Sequence, residues 1–267
     1  MALPPLTPGS TCLVTGASSG IGTEIARGLA QRGYGVTLVA RREDRLRALA
    51  GELERMHDVR SEAVPADLSS AQGRGRLARR LKELDLTVEV LVNNAGFGSG
   101  GAFVGLDPRR EASMVRTNVE AVVDLCGRYL PGMAERGRGA VLNLASLAGF
   151  QPLPYQATYA ASKAFVLSFS EATHEEMRGL GVTVTAVCPG PVRTEFGEAG
   201  GFGGADDHIP GVFWLSAPRV AEAALRGLEK GDRVVAPGPI TQIAALYGQH
   251  LPRSVLLPLV RRFWPVG

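Results

Sequence analysis

Tyr159 and Lys163 stand four residues apart in Tyr-Ala-Ala-Ser-Lys, and Ser146 lies thirteen residues before the tyrosine in an apolar stretch. On a helix, that spacing puts both side chains on one face, where an ammonium group beside a phenol favours the ionised form. A free phenol titrates near pH ~10, and each unit of lowering corresponds to about 1.4 kcal/mol of preferential stabilisation of the phenolate. A lysine acting with a bound cationic cofactor is of the right strength to bring such a phenol into working range as an acid or base. The same spacing also fits a plain surface pair with the lysine stem lying along apolar surface. The assignment therefore rests on what surrounds the pair.

Upstream, residues 15–22 read Thr-Gly-Ala-Ser-Ser-Gly-Ile-Gly, with Gly16, Gly20 and Gly22 spaced G-x-x-x-G-x-G and Ser18, Ser19 and Ile21 between them. Set between a β-branched run and a helical pattern, such a loop permits a tight turn and a close backbone approach to a pyrophosphate. It also aims a helix N-terminus at that anion. It is not the G-x-x-x-x-G-K-[ST] phosphate loop. The second β-branched run ends Val39-Ala40-Arg41-Arg42, where many dinucleotide folds carry a carboxylate for the ribose 2′-hydroxyl. Arg41 and Arg42 offer cations and no competing carboxylate, so a 2′-phosphate is favoured and the expected cofactor is NADP(H) rather than NAD(H). One charge-assisted contact of about 1.5–3 kcal/mol corresponds to a bias of roughly ten- to a hundredfold. Asp67, with Leu68 beside it, follows the third run, and Asn93-Asn94-Ala95-Gly96 follows the fourth. Both fall where ligands bind in open α/β sheets and suit adenine and ribose, although each alone is also ordinary turn chemistry.

The elements that must position these residues alternate along the chain. Strands are predicted at 11–15, 35–40, 61–66, 88–93, 140–145 and 183–188, with a further one at 233–236. Amphipathic helices are predicted at 24–31, 44–55, 73–84, 110–130 and 158–178, and another after Ser216-Ala-Pro. Parallel strands need crossover connections, so this alternation predicts a single α/β domain, a doubly wound parallel sheet with helices on both faces. A chain of 267 residues, 45% hydrophobic, is ample for one such core and needs no second domain.

A net charge of +3 is too slight and dispersed to argue for nucleic acid. Cys12, Cys126 and Cys188 are far apart with apolar neighbours, which predicts reduced core residues and no metal site. No basic region followed by an apolar stretch opens the chain, so a cytoplasmic, reducing location is expected. The uncharged stretches 139–162 and 234–252 are broken by prolines, glycines and amides and do not read as membrane spans.

Residues 15–22, 93–96, Asn118, Ser146, Tyr159, Lys163 and Pro189-Gly190 together resemble the motif set of the short-chain dehydrogenase/reductase family, in its order, from about residue 9 to residue 235. The stretches 38–46 and 93–98 are most similar to NADP-preferring members of broad specificity. The resemblance implies a Rossmann-like fold and a division of labour. Tyr159 would be the acid for ketone reduction and the base for alcohol oxidation. Lys163 would lower its pKa and hold the nicotinamide ribose, and Ser146 would orient and polarise the carbonyl. Asn118 would support a water linking Lys163 to solvent. Pro189, Gly190, Val192 and Thr194 would line the nicotinamide side.

Glycine-rich residues 195–217 are expected to form a substrate lid in which Phe196, Phe202, Phe213 and Trp214 cover an apolar ligand. Phe97, Phe150, Leu153 and Tyr155 point the same way, toward a hydrophobic carbonyl or alcohol. The tail 238–267 exceeds a minimal family member. Packing within the molecule or between subunits is expected of it rather than membrane contact. The resemblance implies a homo-dimer or homo-tetramer built through the helices near 110–130 and 158–178. The leading reading is an NADP(H)-dependent oxidoreductase for a hydrophobic ketone and its secondary alcohol. A 3-oxoacyl or polyketide ketoreductase acting on a carrier-bound thioester is the alternative. A non-catalytic nucleotide-binding regulator is the third, and the intact Ser146, Tyr159 and Lys163 argue against it.

Overall fold

The computed structural model describes residues 3–5, 7–197 and 211–263. Its centre is one sheet of seven parallel strands in the order β3-β2-β1-β4-β5-β6-β7. The strands are β1 (Ser10–Thr15), β2 (Val36–Ala40), β3 (Ser61–Pro65), β4 (Thr87–Asn93), β5 (Gly139–Leu144), β6 (Val182–Val187) and β7 (Val234–Val235). β5 and β6 are buried along their whole length, as strands covered on both faces must be. The cover comes from α1 (Gly20–Gln31), α2 (Glu43–His57) and α7 (Ala217–Lys230) on one face, packed through Ile25, Leu29, Leu46, Leu53 and Leu225. On the other face, α3 (Ala71–Glu83), α5 (Ala121–Glu135) and α6 (Ala157–Arg178) contribute Leu77, Leu125, Met133 and Val166. The chain is thus a single Rossmann-like domain, with the strand order reversing between β1 and β4 so that a crevice opens at their C-terminal ends.

The predicted helix at 110–130 is two helices. α4 (Pro108–Val115) passes through a π-helical turn (Arg116–Glu120) into α5, which continues beyond Pro131. The widened turn falls where the Asn118 side chain leaves the helix to hold the backbone of Phe97, donating to its carbonyl at 3.0 Å and accepting its N–H at 3.2 Å. Beyond Pro131, full burial of Met133 against the sheet holds the last turn despite the missing donor. After β7 the tail forms α8 (Pro239–His250) and α9 (Arg253–Phe263). Arg253 donates to the carbonyls of Gly248 and Phe150, so the tail packs on its own domain beside the 3₁₀ turn Leu147–Phe150. No helix among the described residues is long and apolar enough to cross a membrane.

Candidate active site

The loop after β1 is built as a cradle. Gly16 and Gly20 adopt φ of +66° and +61°, and a Cβ on Gly16 would stand 2.9 Å from the Ala95 Cα, so no side chain fits there. Thr15 locks this loop to the end of β4. Its hydroxyl donates to Val92 O and accepts from the N–H groups of Asn94 and Ala95, all at 3.0 Å. The Asn94 amide donates to the carbonyls of Thr15 and Gly16. Asn94 therefore shapes the loop with its side chain, and Ala95 and Gly96 offer backbone to the crevice. The first turn of α1 contains no acidic residue, and Ser19 caps it without a side-chain hydrogen bond, which leaves the helix N-terminus to an external anion.

At the end of β2 the two arginines separate. Arg42 turns back on the loop, donating through Nη2 to the hydroxyls of Ser18 at 3.0 Å and Ser19 at 2.8 Å. Arg41 is exposed and acts on Asp67 through its field. Burial pulls the Asp67 carboxyl up, but two hydrogen bonds from Ser69 and the charges of Arg41 and Arg76 outweigh it and hold Asp67 below its ordinary range. Leu68 is buried behind it. Cations, hydroxyls and a glycine cradle without a carboxylate at Ala40 suit a dinucleotide carrying a 2′-phosphate.

Ser146, Tyr159 and Lys163 lie on the other side of the crevice. Ser146 follows β5 and caps the 3₁₀ turn, its hydroxyl accepting the N–H of Ala148 at 3.1 Å. Its own N–H is held by the thiol of Cys188, which burial pushes up to about 12. Tyr159 and Lys163 share one face of α6, as their spacing predicts. Lys163 is 6% exposed and donates to the Leu144 carbonyl at 2.6 Å, with its Nζ 5.9 Å from the centre of the Tyr159 ring. Burial pushes the Tyr159 phenol up to about 12, against a hydrogen bond with Ser146. Burial also brings the Lys163 ammonium down to about 8. This departs from the expected lowering of Tyr159 by Lys163. Desolvation dominates, and the ammonium is spent on a carbonyl rather than on the phenol. Asn118, 1% exposed, faces this cluster. It donates to Ser162 Oγ at 3.1 Å, and its Oδ1 lies where a Cβ on Gly96 would come within 2.9 Å.

Pro189 and Gly190 continue β6 into the crevice. Leu147 N donates to the Pro189 carbonyl, and Thr241 of α8 stands beside Gly190. Val192 bridges to Leu215, which fixes the segment that carries Thr194 over Gly20. Phe196 packs its ring against Tyr159 at 5.6 Å, tilted by 54°. Phe97 lies under the guanidinium of Arg110 and Trp214 under that of Arg193, so cations do flank the apolar side of the site. Tyr155 adopts φ of +67°, and its carbonyl accepts the N–H of Gly101, tying together the two loops above the crevice. Phe202 and the central part of the expected lid, 198–210, lie outside the described residues. Thr15 opens the loop motif of residues 15–22, and its tie to β4 shows only in the fold; Arg45 and Glu195, given no role by the sequence, likewise become neighbours only there.

A phosphate cradle joined in one crevice to a Ser–Tyr–Lys cluster defines a dinucleotide-dependent oxidoreductase. The family model described as short chain dehydrogenase matches residues 10–200. Ketoacyl reductase HetN from Nostoc sp. is 31% identical over 92% of this chain and 87% of its own length. A short-chain dehydrogenase from Sphingobium yanoikuyae, solved with NADPH, superposes with a TM-score of 0.81 at 34% identity, covering 92% of this chain and 94% of that one. A bulky-bulky ketone specific alcohol dehydrogenase from Comamonas testosteroni gives a TM-score of 0.76 at 30% identity, over 94% and 92% of the two chains. The chain belongs to the short-chain dehydrogenase/reductase family.

Proposed function

We propose that the protein is an NADP(H)-dependent oxidoreductase that interconverts a hydrophobic ketone and its secondary alcohol. The observation that carries this reading is one crevice holding half-buried Tyr159 between buried Ser146 and Lys163 at one end and the Ser18, Ser19 and Arg42 cluster at the other. Gly16, Gly20 and Gly22 would admit the pyrophosphate, and Ile21 would follow it into α1. Arg41 and Arg42 would meet the 2′-phosphate, and Asp67 and Leu68 the adenine. Ala95, Gly96, Pro189, Gly190, Val192 and Thr194 would flank the nicotinamide half. When bound, the nicotinamide gives or takes the hydride.

The chain supplies position and a proton. A phenol held near 12 is fully protonated at neutral pH, so Tyr159 is poised to donate to a carbonyl oxygen as it becomes an alkoxide. Ser146 Oγ is a second donor to that oxygen. Lys163 keeps positive potential behind the ring, and its buried position beside Asn118 makes it the exit for replacing the proton from solvent. For oxidation the same groups run in reverse, with Tyr159 taking the hydroxyl proton. The Tyr159–Phe196 contact and the nearby Phe97 and Trp214 support an apolar substrate. Self-association through α5 and α6 belongs to this reading, supported by the apolar groove that Val123, Leu130, Phe169 and Met177 line between them.

A second reading, a ketoreductase for 3-oxoacyl thioesters, is favoured by the likeness to HetN and by Arg110 and Arg193 beside the mouth. One experiment serves both. The purified protein is titrated with NADPH and NADH in parallel by fluorescence, then offered bulky apolar ketones and a 3-oxoacyl thioester with the tighter cofactor. Preferred binding of NADPH and oxidation of it by a ketone are expected. Turnover confined to the thioester would install the second reading, and binding of neither cofactor would sink both.

A further inference from the structure

The cations at the end of β2 already hold an anion of the chain's own. Glu195, on the segment after β6, accepts Arg42 Nη1 through Oε2 at 2.7 Å and Arg45 Nη1 through Oε1 at 2.6 Å. The opposite edge of the Arg42 guanidinium is the one that holds Ser18 and Ser19. Two guanidiniums therefore converge on one carboxylate as they would on a phosphate, and Arg42 links that point to the two hydroxyls held on its far edge. All three charged side chains are 41–46% exposed, so an incoming anion can exchange with Glu195 without opening the core. The arginines hold the Glu195 carboxyl down at about 2, so it is ionised at every physiological pH. On either side of Glu195 the chain is anchored over the same crevice, Thr194 against Gly20 and Phe196 against Tyr159.

We propose that Glu195 is an internal competitor for the 2′-phosphate subsite and that Arg45 is a further specificity-determining cation of that subsite. This rests on the NADP(H) reading above. A phosphate monoester carries a charge of about −1.5 to −2 at neutral pH and repels a carboxylate beside it. Sharing Arg42 and Arg45 between the two anions is unfavourable, so the 2′-phosphate takes guanidinium donors from Glu195. A cofactor without that phosphate leaves the ion pairs in place. Glu195 thus weakens NADP(H) selectively, and release of its segment, which leads straight to the ring packed on Tyr159, is tied to arrival of a 2′-phosphate.

The test is calorimetric titration of the full chain with 2′,5′-ADP and with 5′-AMP, alongside NADPH and NADH. It is run on the wild type, Glu195→Gln, Arg45→Ala and the double variant. Glu195→Gln is expected to tighten 2′,5′-ADP and NADPH by about three- to tenfold, the scale of one or two exposed ion pairs, and to leave 5′-AMP and NADH unchanged. Arg45→Ala is expected to weaken 2′,5′-ADP and to shrink the gain from Glu195→Gln in the double variant. Unchanged affinity for 2′,5′-ADP in Glu195→Gln, or an equal gain for 5′-AMP, overturns the proposal. A wild type that binds 2′,5′-ADP no better than 5′-AMP overturns the NADP(H) reading itself.

Discussion

The Tyr159 phenol is held in its protonated form by the side chains packed around it. Burial raises the phenol to about 12 while bringing Lys163 to about 8, so two groups of ordinarily similar acidity are driven apart, each toward its neutral form. In the free protein the phenol is expected to stay protonated past pH 10. An ultraviolet tyrosinate titration, with Tyr159→Phe as the blank, should show the Tyr159 amplitude only above about pH 11, one unit below the raised value. An amplitude that appears below pH 9 would mean that Lys163 acts on the phenol directly, contrary to its bond with Leu144. At this scale the placing of Tyr159 and Lys163 on one helix face was legible, since i, i+4 on a helix is a geometric statement. The sign of the phenol shift was not, because burial is set by elements distant in the chain.

Between elements, the site is joined by a buried amide relay. Asn93 on β4 and Asn143 on β5 stand in register, and the Asn93 amide donates to Asn143 Oδ1 at 2.8 Å. Asn143 in turn donates to Ser170 Oγ on α6 at 2.9 Å, and Ser170 donates to Val166 O. The strand that leads into the Asn94–Gly96 turn is thereby tied through the strand that leads to Ser146 to the helix that carries Tyr159 and Lys163. Asn143→Ala should take one partner from the Asn93 amide, leaving it only the Cys126 thiol, and one from the Ser170 hydroxyl, and lower stability by about 1–3 kcal/mol. The urea midpoint is expected to fall at constant slope, and a change below about 0.5 kcal/mol would show the relay to be dispensable. The strands were read from sequence to within one or two residues because β-branched runs bounded by turn residues are a local signal. The π turn at Arg116–Glu120 was read as plain helix because its cause, the hold of Asn118 on Phe97, acts across 21 residues.

Across the whole molecule, the face that carries α6 is clasped by Arg74 on α3. Its side chain is only 2% exposed and donates to Asp124 at 2.6 Å, to Glu120 and to the Leu68 carbonyl, so it joins α3, α5 and the loop of Asp67. Partial burial pulls the Asp124 carboxyl up, but hydrogen bonds from Arg128 and Arg74 outweigh it and hold it below the ordinary carboxylate range. A folded-state value below the unfolded one of about 3.9 means that this stabilisation is present above that pH and is lost as pH falls through the folded value. Arg74→Met should therefore lower stability by about 2–3 kcal/mol at neutral pH, less than for a fully buried pair because Glu120 is half exposed. Denaturation from pH 7 down to pH 3 should show the gap to wild type closing below about pH 4. A gap independent of pH would assign the loss to packing alone.

The sequence by itself determined the class of fold, the glycine-rich turn after β1, the pairing of Tyr159 with Lys163 on one helix and the lack of a carboxylate at Ala40, because each is a matter of residue type at short spacing. Only the tertiary structure decided what those residues meet. It set Arg42 rather than Arg41 on the loop, brought Glu195 to Arg42 and Arg45 across some 150 residues, placed Phe196 on Tyr159, and folded the tail onto the wall of the site. These follow from how parallel strands and crossover helices stack. That stacking is driven by burial of two extensive apolar faces that no short window of the chain contains.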